Sequence, residues 1–274
     1  MAIGATDMTE REKVPKDDDL VGFFARHLVP VFFTFEKEGQ SESRVMTTFV
    51  LSIGEQWFLV TAGHCIGEVD GCIGSGWQIA ACYLVDSMGL GARHLDPIPF
   101  IYARSYPTRL SEDKSFDYGV MVLSAYYRQL LEKNEIQPLN EEVWKRQPPS
   151  VDFYFLLGVP GELVRVESSH VEIVPTLHKV QPVDERPQGF SEAGVPLFYG
   201  RIGLGQGMTS IEGMSGGPIF GFYMDAQGQL RYWLIALQSR WLPDSHYIAA
   251  CPTKVLGEVL EAVLREYKSN VSAA

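Results

Sequence analysis

Short apolar runs, bounded by turn residues, dominate the chain from residue 28 onward. They are rich in Val, Ile, Phe and Tyr, which is typical of β-strands rather than of helices. The runs lie at residues 28–35, 45–53, 56–63, 78–85, 118–123, 151–160, 163–175, 217–224 and 231–239. This pattern predicts an all-β protein with two halves of similar length. No internal sequence repeat is visible.

The last part of the chain follows a helical period instead. Apolar residues recur there on one face of a helix, at Val255, Leu256, Val259, Leu260, Val263 and Leu264. The spacing predicts an amphipathic C-terminal helix with basic residues in its last turns. Composition also favours a helix over residues 125–133, and Asn140 is a suitable cap for a short helix through Arg146. The glycine-rich segment 67–76 predicts a loop.

The two ends of the first half have a different composition. Residues 1–20 are polar and include a run of three aspartates, so we expect a mobile acidic arm. Gln147–Ser150 contains two prolines in succession and would break the second short helix. This segment is the best candidate for a boundary between the two halves.

Composition excludes several classes of protein. Hydrophobic residues make up 46% of the 274 residues and charged ones 21%, which is enough for a packed core. No apolar run is long enough for a transmembrane helix, so we expect no membrane partner. With 23 basic and 34 acidic residues the net charge is -11, and no basic stripe stands out. Nucleic-acid binding is therefore not expected, because neutralising phosphates requires clustered Lys and Arg.

The cysteines and the N-terminal sequence point to a reducing compartment. A secretory signal has a basic segment followed by an apolar one, and the N-terminus shows no such pattern. The four cysteines form no CxxC pair, so we expect no metal site. We expect all four thiols to be free. They stand at Cys65, Cys72, Cys82 and Cys251. We expect a cytoplasmic protein.

Three short strings carry candidate chemistry. They are Thr61–Cys65 (TAGHC), Phe116–Gly119 (FDYG) and Gly213–Pro218 (GMSGGP). Each places a candidate catalytic side chain at the border between a strand and a turn, where a rigid scaffold can present it to a cleft. Singly, each string has an ordinary structural explanation as a turn or cap. Their joint occurrence in the order His, Asp, Ser is what is specific.

These residue types fit nucleophilic catalysis. The Ser215 hydroxyl is a poor nucleophile near neutral pH and needs a base, which His64 can supply. A carboxylate such as Asp117 would then fix the imidazole tautomer and stabilise the imidazolium. The glycines around Ser215 would let two backbone N–H groups, those of Gly213 and Ser215, face one point and hold an oxyanion.

The three strings resemble those of the trypsin-like (chymotrypsin-fold) serine proteases. TAGHC resembles the family's TAAHC, FDYGVMVL its DIALL segment, and GMSGGP its GDSGGP, and the resemblance covers roughly residues 28–268. It implies two antiparallel six-stranded β-barrels and a C-terminal α-helix. The protease domain would span 21–274, with the first barrel at about 21–146 and the second barrel and helix at about 147–270.

The resemblance also implies roles for single residues. It makes His64 the general base, Asp117 the orienting carboxylate and Ser215 the nucleophile, with the active site in the cleft between the barrels. Ser239, in ALQS, matches the serine of the family's GIVS strand, which hydrogen-bonds the catalytic aspartate and borders the substrate. No cofactor is implied.

The sequence departs from the secreted animal members of the family in two respects. Met214 stands where those proteins carry an aspartate that pairs with a newly cut N-terminal amine. Met cannot form that ion pair, and no Arg-Ile-Val-Gly-Gly cleavage sequence is present, so activation of that type is not expected, as in many bacterial relatives. Segment 45–53 also lacks a cysteine to bridge Cys65, which again favours a bacterial-type member without the usual disulfides.

Specificity is less clearly encoded. Thr209 stands six residues before Ser215, where an aspartate would select Lys or Arg substrates, so a preference for basic substrates is not expected. Gln238, Arg240 and His246 lie in segments that border the family's substrate pocket. A basic wall there would favour an acidic residue on the acyl side of the cut, whereas Arg240 pointing to solvent would not.

The expected function is hydrolysis of peptide bonds by a serine endopeptidase, through a His-Asp-Ser triad and an acyl-enzyme intermediate. Its partner would be a peptide or protein substrate, and an activating protein partner stays open. The alternative is a catalytically silent or partner-activated protease-fold protein that binds a peptide or protein. An esterase of unrelated fold is a third option, which the β-rich pattern disfavours.

Overall fold

A computed structural model describes residues 20–86, 88, 97–110, 116–146, 150–167, 170–205 and 207–272. The strands are β1 (Val31–Lys37), β2 (Gln40–Met46), β3 (Phe49–Ile53), β4 (Gln56–Ala62), β5 (Gln78–Leu84), β6 (Ile98–Pro99), β7 (Thr108–Leu110), β8 (Tyr118–Leu123), β9 (Phe153–Gly158), β10 (Val164–Glu167), β11 (His170–Ile173), β12 (Thr176–Pro182), β13 (Phe198–Ile202), β14 (Pro218–Met224), β15 (Leu230–Leu242) and β16 (Tyr247–Pro252). The α-helices are α1 (Leu20–Ala25), α2 (Gly63–Gly74), α3 (Ala125–Lys133), α4 (Glu141–Trp144) and α5 (Thr253–Ser272).

The first half consists of two antiparallel four-stranded sheets. Their strand orders are β2-β1-β5-β6 and β3-β4-β8-β7. The chain runs from β2 into β3 through Thr47 and Thr48, and the isolated pairing of Leu28 with Phe49 links the two sheets. Apolar side chains from both sheets form one buried cluster, among them Phe33, Val50 and Leu59. In the second part of β1 the buried Phe33 and Phe35 alternate with the less buried Thr34 and Glu36, as the period of a strand requires.

The expectation of a closed six-stranded barrel in this half is wrong for the described residues. The two sheets do not close into a barrel where β2 ends and β3 begins. Only a few backbone hydrogen bonds join them there, in place of a continuous pair of strands. The amide of Val29 donates to Thr48 O at 3.1 Å, and the amide of Val50 donates to His27 O at 2.9 Å. In the described part of this half, eight strands thus form two open sheets.

The second half contains the expected closed barrel of six antiparallel strands, in the order β12-β13-β16-β15-β14-β9. Its interior is filled by fully buried apolar side chains such as Leu156, Ile219 and Ile248. A two-stranded hairpin, β10-β11, lies outside the barrel. The turn between β14 and β15 is closed at Asp225–Gly228, where Gly228 has φ +71° and its amide donates to Asp225 O at 2.9 Å.

The helices confirm some predictions and correct others. Helix α3 lies where expected, and Asn140 caps α4 by accepting a hydrogen bond from the Glu142 amide at 3.1 Å. The loop predicted over 67–76 is wrong, because α2 occupies most of it. This helix follows directly on β4, and its Ile66 and Val69 are buried in the core, which outweighs the low helix propensity of its glycines.

Helix α5 uses only part of its expected apolar face. Leu256 and Leu260 are buried, whereas Val259 is 41% and Val263 55% exposed. The two sets form neighbouring stripes on the helix, and only one of them faces the body of the protein. The helix approaches that body closely, because a Cβ on Gly257 would clash with the ring of Trp144.

Within the described ranges, no helix is long and apolar enough to cross a membrane. Residues 1–19 of the predicted arm (1–20) and residues 147–149 of the predicted boundary (147–150) lie outside the described residues, and Leu20 begins α1. The division into an arm and two halves at these positions stays a prediction.

Candidate active site

His64 lies in the first turn of α2, directly after β4. The junction between β4 and α2 is held against Asp117, because the Gly63 amide donates to Asp117 O at 3.0 Å. A Cβ on residue 63 would lie 2.8 Å from Asp117 Oδ1, so glycine is required there. The string TAGHC therefore places the imidazole against the start of β8, the strand that pairs with β4.

Asp117 binds His64 through both of its carboxylate oxygens. Oδ1 accepts the His64 backbone N–H at 2.8 Å, and Oδ2 accepts the ring Nδ1–H at 2.7 Å. Oδ2 also accepts a hydrogen bond from the Ser239 hydroxyl at 2.5 Å. The side chain of Asp117 is only 15% exposed, so these bonds are poorly screened by water. With its Nδ1 occupied, the His64 ring is left with Nε2 to exchange a proton.

The environment moves both pKa values in the directions that an ion pair requires. Burial raises the pKa of Asp117, but its hydrogen bonds to His64 and Ser239 and the nearby imidazolium outweigh this, so the pKa lies below its usual value of 3.8. Burial likewise opposes the charge on His64. The bonds to Asp117 and the neighbouring Cys65 outweigh that effect and hold the pKa of His64 above 6.5.

Ser215 lies half-buried in a turn immediately before β14. The turn is shaped by glycines: Gly213 has φ +91° and Gly216 has φ +92°. A Cβ on Gly216 would clash with the hydroxyl of Thr61 and lie 2.6 Å from Thr47 O. The turn is fixed beneath by two bonds with Gln238, whose carbonyl accepts from the Gly216 amide at 2.8 Å.

The backbone around Ser215 presents free donors. No described residue accepts a hydrogen bond from the amide of Gly213 or from that of Ser215. The carbonyl of Glu212 is held by the Gly161 amide at 2.7 Å, on the opposite side of the same trans peptide from the Gly213 N–H. The two amides are therefore available for an oxyanion.

Met214 is fully buried in the core of the barrel. Its side chain packs against Gly158, where a Cβ would lie 3.1 Å from the Met214 methyl carbon. Its amide donates to Ile211 O at 3.0 Å, and its carbonyl accepts from the Gly217 amide at 2.8 Å. The thioether thus fills an apolar slot, as an uncharged residue at this position must.

His64 and Ser215 line one cleft of about 280 Å³ at the junction of the two halves. In the described structure no hydrogen bond joins the His64 ring to the Ser215 hydroxyl. The Cys65 thiol lies 3.7 Å from Ser215 O. The other lining residues are Phe33, Arg44, Val45, Met46, Thr47, Glu68, Val69 and Gly213.

The residues expected to bind substrate divide into two groups. Gln238 and Ser239 are buried beside the nucleophile turn and Asp117. Thr209 is exposed and bonded to Glu162, whose carboxylate accepts from the Thr209 amide at 3.2 Å and from its hydroxyl at 3.0 Å. Arg240 is half-buried and its guanidinium donates to the Ser191 hydroxyl at 3.5 Å. Their roles toward a substrate stay predictions.

His246 lies elsewhere. It lines a separate groove of about 650 Å³ on the second barrel, together with Lys179 and Arg201. It therefore does not share the cleft of His64 and Ser215.

Sequence reasoning missed Thr47, which is buried and contacts the nucleophile turn. The available signal was a polar pair, Thr47 and Thr48, inside a mostly apolar run.

Among the described residues, no group of three or more His, Cys, Asp or Glu side chains could hold a metal ion.

Comparison with solved structures finds chymotrypsin-fold serine proteases at low identity. The scabies mite inactivated protease paralogue S-I1 gives a TM-score of 0.53 at 14% identity, over 95% of this chain and 98% of that one. The thermostable serine protease AL20 from an extremophilic microorganism gives 0.46 at 15%, over 83% and 91%. The Rv3671c protease from M. tuberculosis gives 0.44 at 16%, over 95% and 94%. No protein-family model and no curated protein matches the chain.

Proposed function

We propose that this chain, which has the trypsin-like fold, is a serine endopeptidase. The observation that carries the proposal is the double hydrogen bond between Asp117 and His64 in the cleft that also holds Ser215. A carboxylate bonded to Nδ1 leaves Nε2 facing away from it, which is the arrangement that a general base for a serine requires.

The reaction follows from these groups. Ser215 Oγ attacks the carbonyl carbon of a peptide bond while His64 Nε2 takes its proton. The amides of Gly213 and Ser215 hold the oxyanion of the tetrahedral intermediate. His64 then gives the proton to the leaving amine, which releases the first product and leaves an acyl-enzyme. A water molecule, deprotonated by His64, hydrolyses the ester and regenerates Ser215.

The substrate and the compartment belong to the same proposal. The substrate is a peptide or protein. The cysteines support a reducing, cytoplasmic location, since all four thiols are free in the structure.

Labelling with a fluorophosphonate tests the function. We expect a covalent adduct on Ser215, found by mass spectrometry of the digested protein, and its loss in Ser215→Ala. The matched control is Ser52→Ala, which removes a partly exposed serine on β3 and should label like the wild type. An adduct on another residue, or equal labelling in Ser215→Ala, would contradict the assignment.

The second candidate is a catalytically silent protein that binds a peptide, or one that a partner activates. The observation in its favour is that the His64 ring and the Ser215 hydroxyl are not hydrogen-bonded to each other in the described structure. Absence of labelling in the isolated chain, with labelling when a second protein is added, would select the partner-activated form. Peptide binding without labelling under either condition would select the silent form.

A further inference from the structure

Thr47 joins the two halves of the protein at the nucleophile turn. It follows β2 in the first half and is fully buried. Its hydroxyl donates to Gly213 O at 2.7 Å and accepts from the Val159 amide at 3.2 Å, and both of these partners belong to the second half. A single hydroxyl thus satisfies a backbone acceptor and a backbone donor across the junction.

Thr47 is itself held in place by a second threonine. The Thr61 hydroxyl, at the end of β4, donates to Thr47 O at 2.9 Å and is also fully buried. The same Thr61 hydroxyl lies against Gly216, on the far side of Ser215. The strand that leads to His64 and the residue that contacts Gly213 are therefore connected through buried hydrogen bonds.

The contact fixes the peptide that follows the oxyanion donor. The Gly213–Met214 peptide is held at both ends, because its carbonyl accepts from Thr47 and its N–H donates to Ile211 O. The preceding peptide is held by Gly161 through the Glu212 carbonyl. Gly213, which lines the cleft, lies between two anchored carbonyls at a positive φ, so the direction of its N–H is fixed.

We propose that Thr47 is the positioning residue of the oxyanion hole. Its neutral hydrogen bond to Gly213 O orders the nucleophile turn. Met214 carries no charge, so an ion pair at that position cannot do so. The inference rests on the proposed function, because an oxyanion hole matters only if the chain forms a tetrahedral intermediate. It adds a residue of the first half to the machinery of the second.

Thr47→Val removes the hydroxyl while keeping the shape of the side chain. The neighbouring Thr48→Val is the matched control, because Thr48 is equally buried but donates to Val29 O within the first half. Thr47→Ser keeps the hydroxyl and should rescue function. If Thr47→Val does not fold, Thr47→Ala removes the same bond and leaves room for water.

Four measurements separate positioning from general destabilisation: steady-state kinetics, labelling rate, affinity for a peptide boronate and hydrogen exchange. We expect Thr47→Val to lower kcat/KM and the fluorophosphonate labelling rate by about tenfold or more, since losing an oxyanion donor outright costs roughly 100- to 1000-fold. KM should change less than about threefold, whereas the affinity for a peptide boronate should fall with kcat/KM. Hydrogen exchange should be faster in residues 207–217. Thr48→Val and Thr47→Ser should stay within about threefold of the wild type in every readout.

Equal losses in Thr47→Val and Thr48→Val, or wild-type kcat/KM in Thr47→Val, would overturn the inference. If the wild type neither labels nor hydrolyses peptides, the proposed function fails separately. In that case hydrogen exchange decides about Thr47: unchanged protection of residues 207–217 in Thr47→Val refutes the positioning, and selective loss of protection supports it.

Discussion

Asp117 binds His64 at two points, the backbone N–H at 2.8 Å and the ring Nδ1 at 2.7 Å. The first bond fixes where the start of α2 lies relative to β8, and the second fixes the rotation of the imidazole about its own axis. One carboxylate thus orders both the helix turn and the ring. This geometry underlies the first two predictions.

Ser215→Ala and His64→Ala should each abolish peptide hydrolysis without unfolding the protein. Both side chains line the cleft, so truncating either leaves no large core cavity. Because the residues act as one unit, the double variant should be hardly worse than either single one. Peptide turnover and a thermal melt of the three variants test this. Turnover by Ser215→Ala at the wild-type rate would remove Ser215 as the nucleophile.

Activity should depend on the raised pKa of His64. Because the base must be neutral, kcat/KM should rise with pH through a pKa above 6.5. Asp117→Asn removes the attraction that opposes burial, so the rising limb should move to lower pH and kcat/KM should fall by about 1000-fold or more. A pH profile of both proteins measures this. An unshifted limb in Asp117→Asn would refute the coupling.

The same pair links stability to pH at both ends of the range. The raised pKa of His64 contributes stability that is complete below 6.5 and is lost as pH rises through the folded-state value. The lowered pKa of Asp117 contributes stability that is present above 3.8 and is lost as pH falls through its folded-state value.

The uncut chain should label at Ser215, because the turn is held without an ion pair, by the packing of Met214 and the hydrogen bond from Thr47. Met214→Leu should keep both labelling and stability, as it conserves the apolar volume. Met214→Asp should lower the free energy of unfolding by about 3 kcal/mol or more, since its carboxylate would be buried without a partner. Urea unfolding and labelling test both variants. Labelling that requires removal of the arm up to about Leu20 would contradict self-ordering.

His27 should make the protein less stable in acid. It is fully buried and its Nδ1–H donates to Gln137 O at 2.8 Å. Burial and the charge of Arg26 lower its pKa to about 3. Its contribution is complete above 6.5 and falls by up to about 1.4 kcal/mol per pH unit as pH drops toward 3. His27→Asn, whose amide can still donate to Gln137, should flatten the dependence of unfolding on pH between these values. Parallel curves would exclude His27 as the source.

Thiol counting should find four free cysteines in the native protein after denaturation without a reductant. Each of the four is unpaired in the structure. Cys82 and Cys251 are buried, and burial raises the pKa of both thiols, so they should react slowly in the folded state. Cys65 and Cys72, which are half-buried, should react first. A count of zero would contradict the proposed reducing compartment.

Local sequence determined much of this protein. Short apolar runs predicted three strands of the second barrel, β9, β14 and β15, because alternation along a strand depends on adjacent residues. The other three, β12, β13 and β16, were not predicted. The strings around His64, Asp117 and Ser215 predicted the contact between His64 and Asp117 and the cleft that His64 and Ser215 share. Met214 was recognisable as a residue that cannot pair with an N-terminal amine, since its side chain carries no charge.

Only the tertiary structure decided how the first half closes and how the nucleophile turn is held. The two open sheets are linked by backbone pairing between residues 27–29 and 48–50, which no local pattern encodes. Most of segment 67–76 belongs to helix α2, because the side chains of Ile66 and Val69 on that helix are buried in the core. The contact between Thr47 and Gly213 could not be predicted from local sequence, because the two residues are 166 positions apart. The periodicity of side chains depends on residues that are adjacent in sequence. A contact between the two halves depends instead on how the whole chain folds.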